Sequence, residues 1–129
     1  MFTIEQIKEA HAKVKSGADF PNYIQDLIIL GVKGYDTFVN DGHVEYFGIN
    51  NYNVTSNEKY PEIKIEKVAN KERFIEFLVM HQDGQTDYMT FCNHAGQCGI
   101  AKWRVDIIEM ICTYFDKSGA EILIEKIPG

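Results

Sequence analysis

The stretch EIKIEKV at residues 62–68 returns as EILIEKI at residues 121–127, with five of the seven positions identical. In the first copy, Ile63 and Ile65 alternate with charged residues. This period of two is typical of a β-strand that buries one face. A recurrence of this kind indicates an internal repeat, and a repeat decides how the whole chain is divided. We therefore predict that both stretches are strands that close two equivalent units.

Four further matches extend the repeat toward the start of each unit, three of them at a constant offset of 68 residues. Residues 19–23, 31–35 and 46–47 match 87–91, 99–103 and 114–115, and residues 4–11 match 74–81. Chance is the alternative, because any two amphipathic helices and hairpins share an apolar periodicity. The matched Asp and Gly positions lie outside that periodicity, and they favour duplication.

Each unit is predicted to contain two helices followed by three strands. Residues suited to capping a helix precede apolar stripes of helical spacing at Thr3, at Asp19, at Asn70 and at either Thr86 or Asp87. Strands are predicted at residues 33–39, 43–49, 62–68, 103–107, 111–115 and 121–127. A polar loop is predicted at residues 48–61, a helix end at Ser16-Gly17, and the end of the last strand at Pro128.

The order of these elements predicts an α+β fold made of two ααβββ units. Strands joined without an intervening helix favour antiparallel pairing, and separate runs of helices and strands favour the α+β class. We expect an antiparallel sheet with the helices packed on one face and a pseudo-twofold axis between the units. The length predicts a single domain, residues 1–129, with internal repeats at 1–69 and 70–129.

The overall composition excludes several classes of function. The chain has 19 acidic and 13 basic residues and a net charge of −6, which disfavours nucleic acid as a partner. Three Cys do not make a disulfide framework, and the longest apolar run, residues 27–30, is far too short for a membrane span. Residues 1–3 lead into a helix without the pattern of a signal peptide. We predict a cytoplasmic protein that contacts no membrane.

Two histidines at matched positions are the first candidates for a site. His11 and His81 each end an apolar helical stripe, and Asp19 and Asp87 are matched in the same way. Two imidazoles near a pseudo-twofold axis can bind a small ligand or metal, or transfer protons near neutral pH. In the structural alternative, each His packs against its own helix end and each Asp caps a helix.

A second candidate is the sequence Cys92-x-His94-x-x-x-Cys98, which offers three zinc ligands. Structural zinc requires four ligands, usually in paired short spacings, and no second pair is present. The alternative is that these Cys are buried as small apolar residues. No catalytic residue, cofactor or resident metal is therefore assigned.

The halves differ most between their second and third predicted strands. Fourteen residues, 48–61, separate these strands in the first half, whereas five residues, 116–120, do so in the second. Long loops on a rigid scaffold often carry function, so Asn51 and Tyr52 in the insertion are candidates for ligand binding. The alternative is a tolerated surface insertion, because lengthening a loop costs little entropy.

The chain as a whole resembles a small bacterial family of unknown function whose members are often labelled phage envelope proteins. The resemblance rests on MFTIEQIKEAH at the start, HVEYFG at 43–48, TDY at 86–88, and CTY and DKSG near the end. It implies a compact domain without an established activity, and it transfers no catalytic residue.

We predict a non-enzymatic binding protein with an unidentified protein partner, and the resemblance implies a prophage origin. Its contact surfaces are expected at residues 48–61 and in the groove along the pseudo-twofold axis. Homo-oligomerisation is left open. The alternative function is a small-ligand or metal-dependent activity that uses His11 and His81 with Asp19 and Asp87.

Overall fold

A computed structural model describes residues 1–15 and 19–127, which form four α-helices and one six-stranded antiparallel sheet. The helices are α1 (Ile4–His11), α2 (Phe20–Leu30), α3 (Lys71–Gln82) and α4 (Tyr88–Gln97). The strands are β1 (Gly34–Phe38), β2 (Val44–Phe47), β3 (Asn53–Thr55), β4 (Lys102–Asp106), β5 (Ile111–Phe115) and β6 (Glu121–Lys126). The predicted α+β class and antiparallel sheet are confirmed.

Local sequence signals explain where the first two helices begin and end. Thr3 accepts the backbone N–H of Gln6 at 3.2 Å, and Gln6 accepts the backbone N–H of Thr3 at 2.9 Å. This reciprocal capping box satisfies two N–H groups that a helix start leaves free. Helix α2 ends at Gly31, whose φ of 94° suits glycine. The predicted helix end at Ser16-Gly17 and strand end at Pro128 lie outside the described residues.

The sheet has the strand order β3-β2-β1-β4-β5-β6, and every neighbouring pair is antiparallel. Strands β1 and β4 form its centre, where Asp36 lies directly opposite Arg104. Because side chains alternate along a strand, residues opposite one another across the sheet share a face. One face carries Tyr35, Tyr46, Trp103 and Tyr114, and the other carries Asp36, Phe38, Phe47, Lys102, Arg104 and Phe115.

Helices pack on the face that carries the tyrosines and the tryptophan. The ring of Phe74 in α3 lies 4.9 Å from that of Tyr114, and Phe91 in α4 lies 5.7 Å from Trp103. In α2, Tyr23 approaches the same face and is buried. The largest apolar side chains that are fully buried are those of Ile7, Ile24, Leu27, Phe74 and Ile100. Among the helices in the described residues, none has the length and apolar character of a membrane span.

The prediction of a strand at residues 62–68 is wrong. This segment has no strand pairing and instead runs beside α4, where Glu66 donates its N–H to the carbonyl of Gly96 at 3.0 Å. The third strand of the first half is β3, which lies inside the stretch 48–61 that was predicted to be a loop. Because β3 already occupies the edge beside β2, residues 62–68 have no place next to that strand.

Candidate functional site

The two matched histidines lie against different neighbours. The exposed ring of His11 meets Tyr23 of α2 edge-on, with 5.3 Å between ring centroids. The ring of His81 is stacked on Phe91 of α4 at 4.5 Å, and its Nδ1 lies 3.1 Å from the carbonyl oxygen of Thr86. Each imidazole therefore packs on the second helix of its own half. Ligand binding by this pair stays a prediction.

The matched aspartates both serve the local backbone. Asp87 accepts the N–H of Thr90 at 2.8 Å and so caps α4. Hydrogen bonds from the side chain and backbone of Thr90 lower the pKa of the Asp87 carboxyl. Asp19 stands at the N-cap position of α2, and its Oδ2 accepts the N–H of Lys15 at 2.9 Å. The contact of Asp87 matches the structural alternative, in which each Asp caps a helix, whereas the contact of Asp19 with Lys15 is not a cap of α2.

In the insertion, Asn51 and Tyr52 have contrasting surroundings. Asn51 is exposed and has a φ of 62°, a left-handed conformation that Asn tolerates. Tyr52 donates its hydroxyl to the carbonyl oxygen of Phe2 at 2.5 Å, and the two rings meet edge-on at 4.9 Å. Tyr52 thus ties this loop to the start of the chain, and the two residues do not form one shared cluster of contacts.

The Cys-His-Cys candidate lies on and just after α4. Cys92 and Cys98 are buried, and burial raises the pKa of both thiols, which disfavours the thiolate that a metal requires. His94 is stacked on Phe77 of α3, with 3.8 Å between ring centroids. Within residues 1–15 and 19–127, no group of three or more His, Cys, Asp or Glu side chains is arranged to hold a metal ion.

A different cluster lies on the side of the sheet opposite the one that α2, α3 and α4 contact. We call this surface the open face and define it by the charged residues Asp36, Lys102 and Arg104 and the aromatic residues Phe38, Phe47 and Phe115. The three rings are partly exposed, whereas Asp36 is only 2% exposed. A buried carboxylate requires partners that hydrogen-bond it and balance its charge.

Those partners are the two cations beside it. Arg104 donates Nε–H to Oδ1 of Asp36 at 2.7 Å and Nη2–H to Oδ2 at 2.9 Å, in a two-pronged arrangement. Lys102 Nζ lies 3.3 Å from the same Oδ2. The hydrogen bonds with Asp36 raise the pKa of Arg104, so its guanidinium stays charged. Bidentate pairs of this geometry are among the strongest hydrogen-bonded contacts in proteins.

Aromatic rings surround the two cations. Lys102 lies opposite Phe38 on one neighbouring strand and Phe115 on the other, and its Nζ is 5.8 and 5.1 Å from their ring centroids. The guanidinium carbon of Arg104 is 5.9 Å from the rings of both Phe47 and Phe115. Cations at these distances are attracted by the negative faces of the rings. The cluster therefore holds two cations in fixed positions on an open surface.

Sequence reasoning did not identify this cluster, although one signal was present. Asp36 and Arg104 follow the matched aromatics Tyr35 and Trp103, so they occupy equivalent repeat positions with opposite charges. Equivalent positions on two central antiparallel strands can lie face to face, as these do. Phe47 and Phe115 are matched too, as the second residues of the pairs 46–47 and 114–115, but the match did not indicate a surface position, because aromatic residues in strands are usually core.

The chain belongs to the family described as "Protein of unknown function (DUF1398)", whose model matches residues 8–126. No curated protein matches the sequence. The family supports the resemblance found in the sequence as far as a domain of unknown function, and its description states no activity.

Proposed function

We propose that this protein is a non-enzymatic binding protein that holds an acidic, partly apolar segment of a partner protein against the open face. The observation that carries this proposal is the combination of partly exposed Phe rings with the fixed cations Lys102 and Arg104. Aromatic residues and Arg are enriched in the cores of protein interfaces, where they contribute most of the binding energy.

The charges of the open face favour a protein segment over nucleic acid. Two cations stand near Asp36, and Glu45 lies directly opposite Asp36 on β2. A chain of phosphates requires many uncompensated cations, and the protein as a whole carries a charge of −6. A segment with isolated carboxylates between apolar side chains matches both the cations and the rings. Exposed Ile124, at 53%, extends the apolar surface on β6.

Selection of a random peptide library against the immobilised protein tests this function directly. We expect enrichment of peptides that combine Asp or Glu with aromatic or aliphatic residues. Binding should be lost in the double variant Phe47→Ala/Phe115→Ala and kept in Ile29→Ala, which removes an apolar side chain that is 82% exposed on α2. NMR spectra of both variants check that the fold is intact.

Three results would overturn the proposal. Peptides that bind the double variant and wild type equally would place the contact elsewhere. Failure to enrich any sequence would remove the binding function. Sedimentation showing a dimer in wild type and a monomer in Phe47→Ala/Phe115→Ala would make a second copy the occupant of the open face.

The proposal includes a duplicated ααβββ architecture within one domain, residues 1–129. Two observations support it. From the centre of the sheet outward, the strands follow chain order in both halves, β1-β2-β3 and β4-β5-β6. Asp36 also lies opposite Arg104, which is the matching residue of the second unit. The unpaired segment 62–68 departs from the pattern. Superposition of α1 to β2 on α3 to β5 is the test, and helices that fail to overlay when the strands do would contradict duplication.

A cytoplasmic setting is part of the same proposal. Its support is that Cys92, Cys98 and Cys112 are free and buried, as suits a reducing compartment. A prophage origin stays a prediction from resemblance. The alternative activity based on His11 and His81 also stays a prediction, and the separate packing of the two rings on Tyr23 and Phe91 gives it no added support.

A further inference from the structure

We infer that Arg104 and Lys102 form a carboxylate-binding site, which takes one Asp or Glu side chain of the partner beside an aromatic or aliphatic neighbour. The inference rests on the proposed function and names the chemical group that the open face recognises. It depends on hydrogen-bond donors that Asp36 leaves unused, on the fixed position of both cations, and on the charges around them.

The guanidinium of Arg104 has donors that its pair with Asp36 leaves unused, and the Arg104 side chain is partly exposed. An arginine carries five N–H groups, of which the two directed at Asp36 come from Nε and Nη2. The remaining N–H groups belong to Nη1 and to the other side of Nη2. The Arg104 side chain is 49% exposed and that of Lys102 is 27% exposed, so an incoming anion can reach both.

Asp36 and the rings hold these donors ready for an anion. The Asp36 side chain is 3% exposed and fixes Arg104 through two hydrogen bonds, which removes much of the side chain's rotational freedom before binding. A preorganised donor loses less entropy when its ligand arrives. The rings of Phe47 and Phe115 both lie 5.9 Å from the guanidinium carbon of Arg104, and their attraction for the cation helps to keep it in place.

The surrounding carboxylates limit the charge of the anion. Asp36, Asp106 and Glu45 all raise the pKa of Arg104, so the positive charge of this guanidinium is already partly balanced. A phosphate, with nearly two negative charges, meets more repulsion here than a carboxylate with one. Asp106 also lies at the opposite end of β4 from Lys102, and its Oδ1 accepts the N–H groups of residues 108 and 109. The carboxylate is therefore expected on the Lys102 side of Arg104.

An NMR titration with benzoate tests the site without a known partner. We expect saturable shifts at Lys102, Arg104 and Phe115, including the Arg104 Nε–H signal, whereas benzyl alcohol and inorganic phosphate should give at least about tenfold weaker effects. Arg104→Lys keeps the charge but lacks the planar two-pronged guanidinium, and it should weaken benzoate binding several-fold. Lys117→Met, at an exposed Lys in the turn before β6, is the matched control and should bind as wild type does.

Equal shifts with benzoate and benzyl alcohol, or unchanged benzoate affinity in Arg104→Lys, would overturn the carboxylate site.

Failure of this site is distinguishable from failure of the proposed function. Selected peptides that lose affinity in Phe47→Ala/Phe115→Ala but not in Arg104→Lys would leave the function standing without the site. Benzoate binding at Arg104 with no peptide bound to the open face would leave the site standing without the function. Peptides with amidated ends that no longer bind would show that a chain terminus, and not an Asp or Glu side chain, is recognised.

Discussion

Residues 62–68 and 121–127 are nearly the same sequence, yet they have different structures. Residues 121–126 form the edge strand β6, whereas residues 62–68 run unpaired beside α4. The matched isoleucines show the consequence: Ile65 is 8% exposed and Ile124 is 53% exposed. An alternating pattern therefore states that a segment can be a strand, but not that a neighbouring strand is free to pair with it.

The difference arises from the chain that precedes each stretch. Before β6, a five-residue turn, 116–120, brings the chain straight back along β5. Asp116 supports this turn, since its Oδ1 accepts the N–H groups of Ser118 at 2.9 Å and Ala120 at 3.0 Å. Before residues 62–68, the longer insertion places β3 at the edge beside β2. In residues 62–68, the backbone N–H groups of Ile63 and Glu66 then donate to the carbonyl oxygens of Asn40 and Gly96.

The largest difference in the free energy of unfolding is expected between alanine substitutions of the matched residues Ile65 and Ile124. Ile65→Ala removes a buried side chain and should lower the free energy of unfolding by about 2–4 kcal/mol. Ile124→Ala, at the matched position, should cost less than about 0.5 kcal/mol because the side chain is already half in water. Urea denaturation measures both. Equal losses would mean that the two stretches contribute alike, contrary to their packing.

A smaller loss of stability is expected when a methyl group is placed between α4 and residues 62–68. A Cβ at Gly96 would lie 2.9 Å from the carbonyl oxygen of Lys64, so Gly96→Ala must move the backbone of one element. The helix preference of Ala offsets up to about 1 kcal/mol, and we expect a net loss of about 1 kcal/mol. Asn93→Ala, at an exposed position of α4, is the control and should not destabilise. A more stable Gly96→Ala protein would show that this contact is loose.

The turn before β6 should make its pairing depend on pH. Hydrogen bonds from the side chain of Ser118 and from the backbone lower the pKa of Asp116. The ionised carboxylate therefore stabilises the fold above its unfolded pKa of about 3.9, and this contribution is lost as the pH falls through the lower folded value. Asp116→Asn should reduce amide protection in β6 at pH 7. Its effect on the free energy of unfolding should be smaller than that of Gly96→Ala. The two proteins should become alike in strongly acidic solution, and a difference that persists there would exclude the charge as the cause.

The smallest effect is expected from making the two stretches more alike. Lys64→Leu raises the identity between residues 62–68 and 121–127 to six of seven positions, yet the Lys64 side chain is 83% exposed and its ion pair with Glu66 spans 3.7 Å. We expect a stability change within about 0.5 kcal/mol, because exposed ion pairs contribute little. Hydrogen exchange should show no new protection at residues 62–68. New protection there would mean that local sequence does determine strand pairing in this protein.

Much of the fold could be predicted, but the candidate site could be predicted only in part. The capping box at Thr3 and the glycine at position 31 are local signals, and both marked real helix ends. His11 and His81 stood out because they are matched, yet each packs on its own neighbour. Asp36 and Arg104 are matched too, but their contact depends on the register between β1 and β4, which lie 68 residues apart in the chain.

The sequence by itself determined the α+β class, the start of α1, the end of α2 and the strands whose turns are short, because caps, apolar periods and tight turns act over a few residues. Tertiary structure alone decided which strands share an edge, which side of the sheet the helices cover, and that Arg104 meets Asp36 between Phe47 and Phe115. These outcomes depend on competition between distant segments for the same place. Residues 62–68 show this most plainly, because β3 already holds the edge that their pattern would fit.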